Sequence, residues 1–282
     1  MAVLLALMSA VMYGTSDYVG GRASRRFTPI AISWLSEVTM LVGFAVAVPL
    51  LADSGPTAGA VGWGALAGFA GSLGVLGLYT ALSRGNMTVV APITGVVAAA
   101  IPVAVGIGLG ERPGWLVAAG IALAVAAVAL VGGIVGVIHA PVGAPTVLLA
   151  VLVGGGFGLL FVALAEAGES GALWPLLTVR LGGVPLLGVA FVVGRRRGAV
   201  APVSRHVARP ALAMGVMIGL ANACYLLSTQ EGLLSVVAVI VSLYPASTIL
   251  LAVTLDRERA ARSQVAGMLL AAVAVGAITL GS

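Results

Sequence analysis

The chain has 282 residues, 61% of them hydrophobic and 8% charged, with a formal net charge of +5 and a mean hydropathy of +1.18. A soluble domain carries about 25% charged residues, so the composition excludes an ordinary soluble protein and makes the lipid bilayer the partner. Every basic residue is Arg, in short segments without interleaved aromatics, which excludes a nucleic-acid partner.

Ten apolar stretches are predicted as spans: 2–21, 29–51, 61–83, 87–109, 114–138, 145–165, 173–194, 210–230, 234–255 and 263–281. A hydrocarbon core about 30 Å thick takes roughly 20 residues at 1.5 Å each. Helices satisfy their own backbone hydrogen bonds in lipid, and no stretch alternates as a barrel strand would. The predicted fold class is therefore an all-α integral membrane protein with ten transmembrane helices. The first stretch has no basic leader and no clear cleavage site, so it is expected to stay as a helix. The longest connection, 195–209, leaves no room for a soluble domain. Cys224 is the single cysteine, which rules out an intrachain disulfide.

The Arg residues are one-sided. Arg22, Arg25, Arg26, Arg84, Arg195, Arg196, Arg197, Arg205, Arg209, Arg257, Arg259 and Arg262 fall in loops after the first, third, seventh and ninth spans, whereas Arg112 alone marks the other side. Basic residues in short loops face the cytoplasm. Both termini are accordingly expected on the non-cytoplasmic side of a cell inner (plasma) membrane.

The sequence repeats itself. Val3–Ala6 reads VLLA, as does Val147–Ala150, and in that register Tyr13-Gly14 matches Phe157-Gly158. GNMTVVAPI from Gly85 faces GLLSVVAVI from Gly232, in a register that continues to Glu111-Arg112 and Glu258-Arg259. Residues 1–138 and 145–282 are expected to be two five-helix repeats joined by a linker at 139–144. With five helices each, the second must enter the membrane upside down, and inverted repeats place a binding site near the midplane between the halves.

Three charges stand inside apolar stretches, Asp17, Glu37 and Arg180. An ionised group there costs at least about 2.5–3.5 kcal/mol on insertion scales. Glu37 and Arg180 each lie about 10 Å deep, but from opposite faces, so their depths should differ by about 10 Å. Without helix tilt or a reaching Arg side chain, that gap is too wide for an ion pair. It suits a small zwitterion, its ammonium near Glu37 and its carboxylate on the Arg180 guanidinium. Asp17 lies about 6 Å inside the basic end of its helix. It can snorkel to Arg22 or Arg25, or, held out of water, exchange protons near neutrality, as Glu37 can.

Aromatics are scarce, and Tyr13, Trp34, Tyr79, Tyr225 and Tyr244 fall in the helices expected to line the cavity. Aromatic faces can hold an organic cation, although helix packing is the simpler reading. Asn222 and Gln230 can orient a ligand or bond between helices. The stripe Gly64, Gly68, Gly71, Gly74 and Gly77 is a close-packing face. The chain has no H-E-x-x-H, G-x-S-x-G or Walker loop, so no catalytic residues, cofactor or metal are expected.

Tyr13-Gly14-Thr15-Ser16-Asp17, the repeated G-x-x-(T/S)-VVA openings, Ser242-Leu243-Tyr244-Pro245 and the two Glu-Arg pairs together resemble the EamA-type branch of the drug/metabolite transporter superfamily. The resemblance implies ten helices in two inverted halves, with helices 1–4 and 6–9 around a cavity and helices 5 and 10 outside it. It implies movement of amino acids, drugs, sugars or other small metabolites, often outward; the chain itself is expected as a monomer or homodimer. The chain departs in having Ala98 where a proline matching Pro245 would stand, and in having no basic residue after its second span.

The expected function is a secondary transporter exporting a small organic solute, an amino acid or related metabolite, by alternating access and in exchange for protons. Asp17 and Glu37 are the candidate proton carriers. Arg180, Glu37, Tyr13, Trp34, Tyr79, Asn222, Tyr225 and Tyr244 are the candidate substrate contacts. The alternatives are export of cationic drugs and a non-transporting membrane partner protein.

Overall fold

The computed structural model describes residues 1–83, 87–133, 143–171, 173–200, 203, 205–257 and 259–281; within its helices the side chains of 79, 81–83, 87–89, 91, 92, 170, 171 and 205 lie outside the description. The helices are α1 (Ala2–Ser24), α2 (Pro29–Leu51), α3 (Ala58–Ser83), α4 (Met87–Gly108), α5 (Trp115–Gly132), α6 (Ala144–Gly171), α7 (Trp174–Arg196), α8 (Arg205–Glu231), α9 (Leu234–Val241), α10 (Tyr244–Leu255) and α11 (Arg262–Gly281). Nine stretches among the described residues are long and apolar enough to cross a membrane, α9 with α10 counting as one, and Ile93–Gly108 of α4 is a shorter apolar helix. The chain is an all-helical, multi-pass membrane protein.

Prolines start helices where a missing N–H costs nothing: α2, α7 and α10 each have one in the first two positions. Pro245 also divides the ninth predicted span. A proline there cannot donate to the carbonyl four residues back and its ring clashes with it. The backbone instead tightens, with Leu243 N–H donating to Ile240 at 3.1 Å. Residues 234–255 are therefore two helices, where one was expected. α4, with Ala98 in place of such a proline, runs unbroken. Two other boundaries move: α6 continues through Glu166 and Glu169, and α8 begins at Arg205, inside the expected loop. Both extensions lie beyond the most apolar stretch, where charged side chains on a helix can reach water.

Hydroxyl-to-carbonyl bonds join the helices. Ser9 donates to Ala221 at 2.8 Å, Ser36 to Ala211 at 3.0 Å, Thr178 to Ala60 at 2.7 Å and Thr248 to Gly14 at 3.0 Å. Lipid tails give no hydrophobic drive between helices, so such bonds and close packing hold the bundle. The glycine stripe of α3 packs closely, as expected. A Cβ on Gly64 or Gly68 would strike Thr178 or the Val179 carbonyl of α7, and one on Gly71, Gly74 or Gly77 would meet Leu160, Phe157 or Val153 of α6. α11 packs mainly on α5, where Gly120 lies against Ile278 and Gly267 against Val131.

The two ends of the bundle are identifiable. Ser228 donates to the Ala2 carbonyl and Trp174 Nε1 to Ser54, joining the start of α1 to the end of α8 and the end of α2 to the start of α7. At the other end a cavity of about 620 Å³ is lined by Arg22, Arg25, Arg26, Phe27, Pro210 and Asp256, among others. This is the Arg-rich end.

Candidate functional site

Glu37 and Arg180 form a direct ion pair, Nη1 to Oε2, at 2.6 Å. This corrects the expectation from depth. Glu37 does not project straight from its helix. Its carboxylate lies over Gly183 of α7, where a Cβ would come within 2.8 Å of Oε2. Gly183 is nearly one turn nearer the Arg-rich end than Arg180, and the long Arg side chain spans that turn. Arg180 is 2% exposed and its Nη1 also reaches Met40 Sδ at 3.4 Å. Its Nε has no hydrogen-bond partner. The two groups expected to bind the ends of a zwitterion are thus bound to each other.

Asp17 behaves differently. Ala6, Ala10, Tyr13, Asp17 and Gly20 follow the three- and four-residue spacing of one helix face. On that face Ala6 is 0% and Ala10 4% exposed, and Gly20 is buried against Met214 of α8. The opposite face carries Leu4, Met8 and Val11, all open to lipid. Asp17 is therefore on the packed face, yet it is exposed. An accessible carboxylate thus stands between buried neighbours on the packed face. Among the described residues it makes no hydrogen bond and no ion pair. Arg22, which snorkelling would have used, is paired instead with Asp256 at the end of α10 and with the Tyr18 hydroxyl.

Tyr13 joins the two features. Its hydroxyl donates to Asn222 Oδ1 of α8 and lies within electrostatic range of Arg180, Asp17 and Glu37. Its ring stands 6.3 Å from that of Tyr244, tilted by 55°, and 6.1 Å edge-on from Phe161. Tyr244, the first residue of α10 after the break, is in electrostatic range of Asp17. The structure thus gathers Asp17, Glu37, Arg180, Tyr13, Asn222 and Tyr244 from five helices.

Other candidates are engaged elsewhere. Trp34 stacks on Phe191 at 4.5 Å, against Gly188 of α7, away from the Tyr13 group. Tyr225 is 0% exposed, and its hydroxyl donates to the Phe161 carbonyl at 2.8 Å, so it supports Phe161 rather than facing an opening. Gln230 is exposed near the end of α8. The Tyr79 side chain lies outside the described residues. Cys224 is a free thiol.

Two contributors escaped the sequence reading. Phe161 holds Tyr13 and Tyr225 together. Glu111 accepts from the N–H groups of Leu234 and Ser235, capping α9 from the loop after α4. A carboxylate there satisfies orphan donors and complements the helix dipole. The repeated Glu-Arg pair was the signal for it. The matching Glu258 lies outside the described residues.

Residues 1–133 match the family model described as the EamA-like transporter family. Over those residues the chain is similar to that family. No curated protein matches the chain. A solved crystal structure of a protein superposes with a TM-score of 0.77 at 16% identity, covering 99% of this chain and 96% of that one. At that identity the likeness shows the fold alone. The helices make the chain a multi-pass membrane protein, and its first 133 residues are similar to the EamA-like transporter family.

Proposed function

We propose that this EamA-type protein exports a small organic solute by alternating access, in exchange for protons, with Asp17 as the proton-exchanging group. The observation that carries this reading is Asp17 itself: accessible, unpaired and inward-facing beside two tyrosines. A carboxylate kept without a partner in a membrane interior is costly, and a proton or a ligand offsets that cost when bound. The Glu37–Arg180 pair lines the same region and fixes α2 to α7.

Two further observations support alternating access. The α9–α10 break puts a helix end and its Tyr244 ring beside Asp17, as in discontinuous helices that form midplane sites. Contacts also recur between the halves in the registers of the sequence repeat. Gly68 of α3 packs on the Val179 carbonyl of α7, and Gly215 of α8 packs on the Ser36 carbonyl of α2. Gly14 of α1 packs on Thr248 of α10, and Gly158 of α6 packs on Ile101 of α4. Such exchange of partners is what two inverted halves, 1–138 and 145–282, would produce. The Arg distribution supports cytoplasmic placement of the Arg22 end and non-cytoplasmic termini in an inner (plasma) membrane.

The test is flux. Purified protein in liposomes with an acidic lumen should accumulate at least one solute from a panel of amino acids and organic amines. Absence of flux for the whole panel, with the protein folded, would favour a non-transporting membrane partner.

A further inference from the structure

The cavity of about 620 Å³ at the Arg-rich end has no part in the transport reading. We propose that it holds the phosphate headgroup of an anionic phospholipid, with Arg26 as the counter-charge and Arg22 and Arg25 on the same wall. The proposal goes beyond transport and does not depend on it.

The backbone gathers these arginines. Arg25 closes α1 in a helical conformation, φ −70° and ψ −18°. The N–H groups of Arg25, Arg26 and Phe27 donate back to the Arg22 and Ala23 carbonyls. Residues 22, 25 and 26, three and four apart, are thereby brought to one side, and all three line the cavity. Like charges at that spacing repel, and the lining answers them only in part. Asp256 is the one acidic residue among the lining residues, and it is bound to Arg22, which the Tyr18 hydroxyl also meets at 3.1 Å. Arg26 is exposed, and its side chain makes no hydrogen bond or ion pair among the described residues. The charge left over is positive and accessible, so the cavity suits an anion. Guanidinium forks match phosphate oxygens in particular.

Place and lining select a lipid. The apolar stretch of α1 ends at residue 21 and α2 begins at Pro29, so Arg25 and Arg26 stand where hydrocarbon gives way to headgroups. The remaining walls are apolar. Val19 belongs to that apolar stretch, and Phe27 and Pro210 come from the following turn and from α8. A soluble phosphate would leave these walls in water. A phospholipid puts its charged group on the arginines and its glycerol and first methylenes on the apolar walls. Basic pockets between transmembrane helices take headgroups in this way, and the volume is within the roughly 300–1,000 Å³ of small-ligand sites. Because α1, α8 and the end of α10 all contribute, a bound headgroup ties the three together and stabilises the fold by mass action.

Titration of the detergent-solubilised protein with fluorescent short-chain phosphatidylglycerol tests this, against phosphatidylcholine and the soluble headgroup glycerophosphoglycerol. Phosphatidylglycerol should bind at least about tenfold tighter than either and should raise the thermal unfolding midpoint. Arg26→Gln should weaken it at least about tenfold, with the lipid-free midpoint retained. Arg196→Gln/Arg197→Gln, at the end of α7 and outside the lining, should leave the affinity unchanged. Asp256→Asn removes the competing carboxylate and should tighten binding, a direction that a misfolded variant cannot give. Equal affinity for the two lipids would overturn the proposal, as would soluble headgroup binding as tightly as lipid. Equal loss in the Arg26 and Arg196/Arg197 variants would also overturn it, since the basic surface as a whole would then be the attraction.

Discussion

Asp17 and the Glu37–Arg180 pair all lie within electrostatic range of Tyr13, and the protein treats them in opposite ways. Arg180 is buried, its guanidinium joined to a carboxylate and a thioether. Asp17 faces inward as well, yet is exposed and unpaired among the described residues. The difference teaches that an intramembrane charge is not a functional site by cost alone. The pair answers that cost within the fold, whereas Asp17 has no partner among the described residues that would answer it.

The comparison breaks most forcibly at Arg180. Arg180→Ala leaves the half-buried Glu37 with no counter-charge and should cost at most about 3 kcal/mol, the low end for breaking a buried pair, read as a lowered unfolding midpoint in detergent. The double variant Glu37→Gln/Arg180→Met leaves no orphan charge and should recover most of that stability. An equal loss in both variants would mean that the pair is not what stabilises this region.

Next in size is the contact that sets α3 on α7. Gly68→Val drives a branched side chain into the Val179 carbonyl and the Gly183 amide, and overpacking of this kind costs about 1–3 kcal/mol. Gly21→Ala, with nothing within 4 Å of the new Cβ, should leave the midpoint unchanged. If both behave alike in thermal melts, the close approach is not real.

Smaller again is Glu111→Ala, which frees two N–H groups of α9 and should cost about 1 kcal/mol, as loss of a helix cap does. Hydrogen exchange should speed at Leu234 and Ser235 with α10 unaffected, and a uniform change across the bundle would contradict a local cap. Ser9→Ala removes one bond to the Ala221 carbonyl and should cost about 0.6 kcal/mol by the same melts. A loss several times larger would make that bond part of the site rather than glue.

Much of the fold was legible from apolar length. The first three spans and the last match their predicted ranges to within three residues, because a bilayer fixes how long an apolar helix must be. The break at Ser242–Leu243 was not legible, since the run from Leu234 to Leu255 is apolar throughout and a single Pro245 can kink a helix as easily as divide it. Asp17, Glu37, Arg180, Tyr13, Asn222 and Tyr244 were readable as candidates from residue type and position. Their partners were not. Depth counted along helix axes ignores where side chains turn, and so it separated Glu37 from Arg180. Arg22 found Asp256, far along the chain, rather than nearby Asp17, and only the packed bundle makes them neighbours. The inward placement of Asp17 was available from the spacing of Ala6, Ala10 and Tyr13, although its exposure was not.

The central claim is that Asp17 exchanges the proton while the Glu37–Arg180 pair does not. The direct measurement is accumulation, in liposomes with an acidic lumen and no other gradient, of whichever solute the wild type concentrates. Wild type and Glu37→Gln/Arg180→Met should both concentrate it, and Asp17→Asn should only equilibrate it, while still exchanging labelled for unlabelled solute. Accumulation by Asp17→Asn at the wild-type level would contradict the account.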